Sequence, residues 1–132
     1  MYKLGSKSKK NLIGVNPILI EILNRALQIS YKRKDGVDFT IIKTAGIRTA
    51  EEQNKLFLKG NSKADGYDKI SYHQTGKALD VVPYVNGGAS WEEKELLKVA
   101  VCMLQAAAEL NHKIEWGGFW RTFKDLPHYQ IK

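Results

Sequence analysis

Ser71-Tyr72-His73-Gln74-Thr75-Gly76-Lys77-Ala78-Leu79-Asp80 places a histidine, a glycine able to turn the chain and an acid at the head of an apolar run within one short stretch. Val81, Val82 and Pro83 follow, so a strand is predicted over Lys77–Tyr84 with Asp80 inside it. An acid among apolar strand residues is costly unless it is paired or bound to a metal. In a straight strand His73 and Asp80 would face opposite sides, because their separation is odd. Gly76 can supply the bend that lets the two side chains converge. Taken alone, these residues leave open both a structural His–Asp hydrogen bond and a metal site.

A second stretch, Asp125-Leu126-Pro127-His128-Tyr129, again sets a histidine and an acid at the edge of a predicted strand, His128–Ile131. Two neutral imidazoles and one carboxylate make a three-ligand metal site that keeps a fourth position for water. With His73, Asp80 and His128 as ligands, Asp125 is free to act as a base on that water. Pro127 sets a rigid turn, so Asp125 and His128 need not point apart. The exchanged assignment, with Asp125 as ligand and Asp80 as a structural partner, is equally compatible with the spacing. The third histidine, His112, ends a long helix, where the helix dipole favours a surface imidazole.

Around these stretches the chain reads as one domain, residues 1–132, of class α+β: a small, mainly antiparallel sheet packed with helices. Met1–Gly14 is a polar lead-in. Asn16 followed by Pro17 caps a helix running to about Lys32, with an apolar stripe through Ile18, Leu19, Ile22, Leu23, Ala26, Leu27 and Ile29. Phe39–Lys43 is a predicted strand. Thr49 and Glu52 form a capping box for a short helix that carries Gln53 and stops near Gly60. Asn61–Ile70 is a polar loop, and Ser90 with Glu93 suggests a second capping box for a helix over Trp91–Leu110. Glu115–Trp120 is a turn-rich aromatic segment.

Composition removes several classes. There is no phosphate-binding loop, no nucleophile elbow and no His-Glu-x-x-His pair. The one cysteine, Cys102, lies in an apolar run, which argues against a cysteine nucleophile and excludes an internal disulfide. The net charge of +7 attracts polyanions, but the cations are dispersed, and nucleic acid is not expected as a partner. No apolar stretch approaches the ~20 residues that span a bilayer. Met1–Asn11 lacks the apolar core of a secretory signal, so synthesis in the cytoplasm without a signal peptide is expected, and stable membrane insertion is not.

Ser71-x-His73-x-x-Gly76-x-Ala78-x-Asp80 resembles the metal signature of the D-alanyl-D-alanine dipeptidase and carboxypeptidase family, whose superfamily includes the zinc-binding hedgehog signalling domain. Asp125-x-x-His128 resembles that family's second motif. Trp116-Gly117-Gly118-Phe119-Trp120 ahead of Asp125-x-x-His128-Tyr129, and Gly46-Ile47-Arg48-Thr49 with Glu52-Gln53, are most similar to the phage endolysin branch, which cuts the L-alanyl-D-glutamate bond of peptidoglycan. Asp125 stands where the dipeptidase branch uses Glu, a shorter base that fits the endolysin branch.

The resemblance implies a hedgehog/DD-peptidase-like fold and one Zn2+ per chain on His73, Asp80 and His128. It implies Asp125 as general base and Arg48 as a catalytic residue that also contacts substrate. Ser71 and Gln53 are the further substrate-binding candidates. The expected partner is bacterial peptidoglycan, met by a monomer that reaches the wall through a holin-type pore. With no separate wall-binding domain, the positive surface would hold the enzyme on anionic wall polymer. The rival expectations are a D-alanyl-D-alanine carboxypeptidase or dipeptidase, and a zinc-bound binding module without turnover.

Overall fold

The computed structural model describes residues 1–132. Helix α1 (Ser6–Asn11) precedes α2 (Pro17–Lys32), β1 (Asp38–Thr40) and α3 (Ala50–Leu58). A 3-10 turn, Tyr72–Thr75, leads into β2 (Ala78–Asp80), β3 (Val82–Val85) and β4 (Gly88–Ala89). Helix α4 (Glu93–Glu109), β5 (Ile114–Trp116), a 3-10 turn at Gly117–Phe119 and β6 (His128–Ile131) complete the chain.

The α+β class holds, with one correction to its sheet. There are two three-stranded antiparallel sheets, ordered β1-β3-β4 and β2-β6-β5. The single strand expected over Lys77–Tyr84 is divided at Val81, whose N–H donates to Pro127 O (2.8 Å). This break sends β2 to one sheet and β3 to the other. Glu115–Trp120, expected to be turn throughout, begins as strand β5 before its 3-10 turn.

Helices α2 and α4 pack together and supply most of the core. Leu19, Ile22, Leu23 and Ala26 from α2 share one buried cluster with Val99, Met103 and Ala106 from α4. Leu79 of β2 and Tyr129 of β6 join it from the sheet. Ile18, expected in the α2 stripe, is instead exposed. Asn16 caps α2 as expected, accepting from Ile18 N–H at 2.9 Å with Pro17 behind it. Thr49 and Glu52 form the expected capping box of α3. The second box does not form: Glu92 is the cap of α4, and Ser90 Oγ accepts from Glu92 N–H at 3.3 Å.

The polar lead-in contains α1. The side chain of Ser8, on this helix, is buried and accepts from Ile41 N–H (3.0 Å), while Asn11 donates to Ile41 O (2.8 Å). The lead-in is thereby fastened alongside β1.

Gly76 has the bend expected of it. It closes the 3-10 turn in the left-handed region, φ +74°, and a Cβ there would lie 2.3 Å from Gly14 O. Gly76→Ala should therefore lower folding stability by about 1–3 kcal/mol, since both the backbone conformation and the close approach resist a side chain. Urea unfolding measures this; an unchanged midpoint and slope would show that the turn relaxes without cost.

Candidate metal centre and active-site cleft

The β2–β6 pairing sets the geometry. Asp80 stands directly opposite His128 in the antiparallel register, so both side chains leave the same face of the sheet. Their neighbours Leu79 and Tyr129, also paired, point the other way into the core. His73 comes from the 3-10 turn rather than from the strand. The Ser71 hydroxyl accepts from His73 N–H (3.2 Å) and the Gln74 side chain accepts from Ser71 N–H (2.9 Å), which fixes this turn at its start.

These elements bring His73, Asp80 and His128 together. His73 Nε2 lies 3.2 Å from His128 Nδ1 and 3.3 Å from Asp80 Oδ1, and His128 Nδ1 lies 3.2 Å from that same oxygen. His73 Nδ1 lies 2.9 Å from Gly46 O, and a carbonyl only accepts, so Nδ1 carries the proton and Nε2 keeps its lone pair. Electron-pair donors this close share either a proton or a metal ion between them. Tetrahedral ligation with bonds of about 2.0–2.1 Å separates ligand atoms by about 3.3 Å, which the three observed separations match. The residues present therefore fit a divalent metal ion, and the two-nitrogen, one-oxygen set suits a transition metal.

Electrostatics follows the same grouping. Burial alone would raise the Asp80 carboxyl, but the charges and hydrogen bonds of His73 and His128 outweigh it and hold it far below the usual carboxylate range. Asp125 behaves differently. Its burial and then the nearby Asp80 charge push its carboxyl above the ordinary value, against the pull of His128, His73 and Arg48. Its Oδ2 is 3.8 Å from His128 Nδ1, outside hydrogen-bond range. Of the two assignments that spacing allowed, the one with Asp80 among the ligand atoms is the one this geometry favours.

The Asp125 backbone is held on both sides: its N–H donates to Gly117 O (3.1 Å) and its carbonyl accepts from His128 N–H (3.2 Å). A Cβ on Gly117 would sit 2.3 Å from Asp125 O, so this glycine lets the Asp125 loop lie close against the 3-10 turn.

Arg48 reaches the cluster from the loop before α3. Nε donates to Thr44 O (2.6 Å), Nη1 to Gln53 Oε1 (3.0 Å) and Nη2 to Asp80 Oδ2 (3.1 Å). Asp80 is thus gripped through one oxygen by a cation and presents the other to the histidines. Burial lowers the Arg48 pKa, with Asp80, Asp125 and Glu52 opposing the shift, and guanidinium remains charged in any case. Three of its five N–H groups are engaged in these bonds, which leaves two for other partners.

A cleft of about 600 Å³ opens over the cluster. Arg48, Ser71, His73, Asp80, Asp125 and His128 all line it. Gln53 does not, which corrects its expected contact with substrate. It is completely buried, and its amide donates to Ser62 Oγ (2.8 Å) and Ala64 O (2.9 Å) while accepting from Arg48. It braces Arg48 against the Asn61–Ile70 loop. Trp116 is buried and donates to Leu126 O (2.7 Å), whereas Trp120 lines the cleft with its ring centroid 5.1 Å from that of His128. Trp91 also lines the cleft, a role its sequence neighbours gave no sign of. Lys63 lies over the Phe123 ring at 5.1 Å, linking two walls of the cleft by a cation–π contact.

A two-sheet α+β domain whose two histidines and aspartate converge beside an open cleft could hold a metal ion within reach of a substrate. Residues 1–130 match the family described as phage L-alanyl-D-glutamate peptidase, and the chain belongs to that family. It is 36% identical to the L-alanyl-D-glutamate peptidase of Escherichia phage T5 over 99% of this chain and 90% of that one. It is 31% identical to the peptidoglycan L-alanyl-D-glutamate endopeptidase CwlK of Bacillus subtilis, over 73% of this chain and 62% of CwlK. Among solved structures, the L-Ala D-Glu endopeptidase ChiX of Serratia marcescens superposes with a TM-score of 0.81 at 34% identity, covering 98% of this chain and 90% of ChiX. DacB of Streptococcus pneumoniae shares the fold at 19% identity and a TM-score of 0.53, covering 95% of this chain and 70% of DacB.

Proposed function

We propose that this chain is a zinc endopeptidase that hydrolyses the L-alanyl-D-glutamate bond of peptidoglycan stem peptides. The observation that carries the reading is the convergence of His73, Asp80 and His128 on an open cleft, with the Asp125 carboxylate beside them at 3.8 Å from His128 Nδ1. One Zn2+ would be held by those three side chains. When bound, zinc supplies a Lewis acid and brings the pKa of a water ligand to about 7.

The chain's own groups carry the proton and the charge. Asp125 accepts the proton of the attacking water and returns it to the leaving amine. Burial and the Asp80 charge both favour its protonated form, which suits a group that must take up a proton. Arg48, fixed by Thr44, Gln53 and Asp80, turns its remaining N–H groups toward the negative charge that develops on the scissile carbonyl oxygen. A donor held in place before reaction needs no reorganisation when that charge appears. Ser71 presents its hydroxyl to the substrate from the cleft wall.

Residues 1–132 act as one catalytic unit and as a monomer. The charge of +7 would draw it to anionic wall polymer. No helix is long and apolar enough to cross a membrane. A lysin made in the host cytoplasm would reach the wall through a holin-type pore.

Digestion of purified sacculi followed by mass spectrometry tests the activity. New amino termini on D-glutamate, lost after chelation and regained with zinc, are the expected result. Release of free D-alanine instead would assign a carboxypeptidase. Intact sacculi and intact soluble stem peptides, with zinc bound, would leave only a binding module.

A further inference from the structure

His128 offers Nδ1 to the cluster, so its other nitrogen, Nε2, has to carry the proton. Nε2 lies 2.8 Å from Gln130 Oε1. An amide side chain does not by itself settle this, because rotating it by half a turn would bring its NH₂ to the imidazole instead. Glu115 settles it. Gln130 Nε2 donates to Glu115 Oε2 at 2.9 Å, and an ionised carboxylate can only accept.

We propose that Glu115 is a positioning residue for the metal centre, acting through Gln130 to set the tautomer of His128. The sheet builds this relay into its register. Glu115 of β5 lies directly opposite Gln130 of β6, and Gln130 is two residues from His128 on the same strand face. Asp80 of β2 stands opposite His128 on that same face. Glu115, Gln130, His128 and Asp80 therefore form one row across β5, β6 and β2. The carboxylate orients the amide, the amide oxygen takes the Nε2 proton, and the Nδ1 lone pair is left for the metal. Reversing the amide would set its oxygen against a carboxylate oxygen and favour the Nδ1–H tautomer, which cannot ligate. Glu115 is absent from the cleft lining, so this role needs no contact with substrate.

The relay rests on the zinc reading above, and its test reads metal affinity rather than turnover. Glu115→Gln has the same shape but can donate as well as accept, so the Gln130 amide is free to reverse. Competition with a chromophoric chelator should show a 10–100-fold loss of Zn2+ affinity, the usual scale for a partner behind a metal-bound histidine. The exchanged pair, Glu115→Gln with Gln130→Glu, restores an obligate acceptor against His128 Nε2 and should recover most of that loss. In the zinc-loaded wild type, ¹⁵N-histidine spectra should show a His128 Nε2–H protected from solvent exchange, and Glu115→Gln should speed that exchange. Circular dichroism melts of the metal-free variants check that the fold is kept. Wild-type zinc affinity in Glu115→Gln, or no recovery in the folded exchanged pair, would overturn the relay while leaving the metal site standing. Failure of the wild type to bind zinc would overturn both.

Discussion

Asp125→Asn should lower turnover by about 10²–10⁴-fold while zinc stays bound, the scale of a lost general base. Asparagine keeps the size of the side chain but cannot accept the water proton. The Asp125 backbone is fixed by Gly117 O and His128 N–H, neither of which involves the carboxylate, so the loop should keep its place. Zinc should remain because the Asp125 carboxylate stands 3.8 Å from His128 Nδ1, outside the cluster of ligand atoms. Asp80→Asn is the paired control and should weaken zinc binding itself. It alters an oxygen shared by both histidines and loosens the Arg48 contact on the other oxygen. Steady-state rates on a soluble stem peptide, beside metal analysis of each variant, separate the two roles. Loss of zinc from Asp125→Asn with retention in Asp80→Asn would exchange them. Near-normal turnover in zinc-loaded Asp125→Asn would remove Asp125 as base. Glu115 is bonded to Gln130 on the far nitrogen side of the His128 ring and does not line the cleft, so it is not placed to act as base instead.

The site was more legible than the sheets that carry it. His73, Asp80, Asp125 and His128 stand in motifs whose residue types are unusual where they occur, above all an acid within an apolar strand. Capping residues also carry local physics: Asn16-Pro17 and Thr49 with Glu52 act within a few residues of themselves, and both caps form. The division of Lys77–Tyr84 at Val81 is different. Asp80 and Pro83 interrupt its apolar character without marking where it divides, and the break is set by Ala45 O and Pro127 O, which accept from Asp80 and Val81 N–H. Helix α1 is hidden for a similar reason. It has no apolar stripe, and what holds it is the pairing of Ser8 and Asn11 with Ile41, far away in sequence. Ser90 with Glu93 has the pattern of a capping box, yet α4 begins after Glu92, which shows how little a short pattern weighs when the preceding turn places the helix start. Gln53 could not be placed from sequence, because its burial depends on the loop that folds over α3.

His73→Ala should abolish zinc binding almost completely, and the clearest readout is the stability that zinc adds rather than the melting temperature itself. For the wild type, free zinc at about 100 times its Kd should add about 2.7 kcal/mol to folding. In a domain of this size that is a rise of roughly 5–15 °C. The variant should show almost none. Its metal-free melting temperature should also fall, because the imidazole is buried and its removal leaves Gly46 O without a partner, a loss of about 1–3 kcal/mol. That decrease alone says nothing about metal, so the comparison has to be the increment with and without zinc. The geometry explains why His73 should be hard to replace. Its ring is fixed by Gly46 O at Nδ1, and Asp80 and His128 alone leave a two-ligand site. Asp125 is the nearest spare carboxylate, and a residual increment in His73→Ala that vanishes in His73→Ala with Asp125→Asn would identify it as a substitute ligand. A full wild-type increment and full zinc occupancy in His73→Ala would remove His73 from the metal centre.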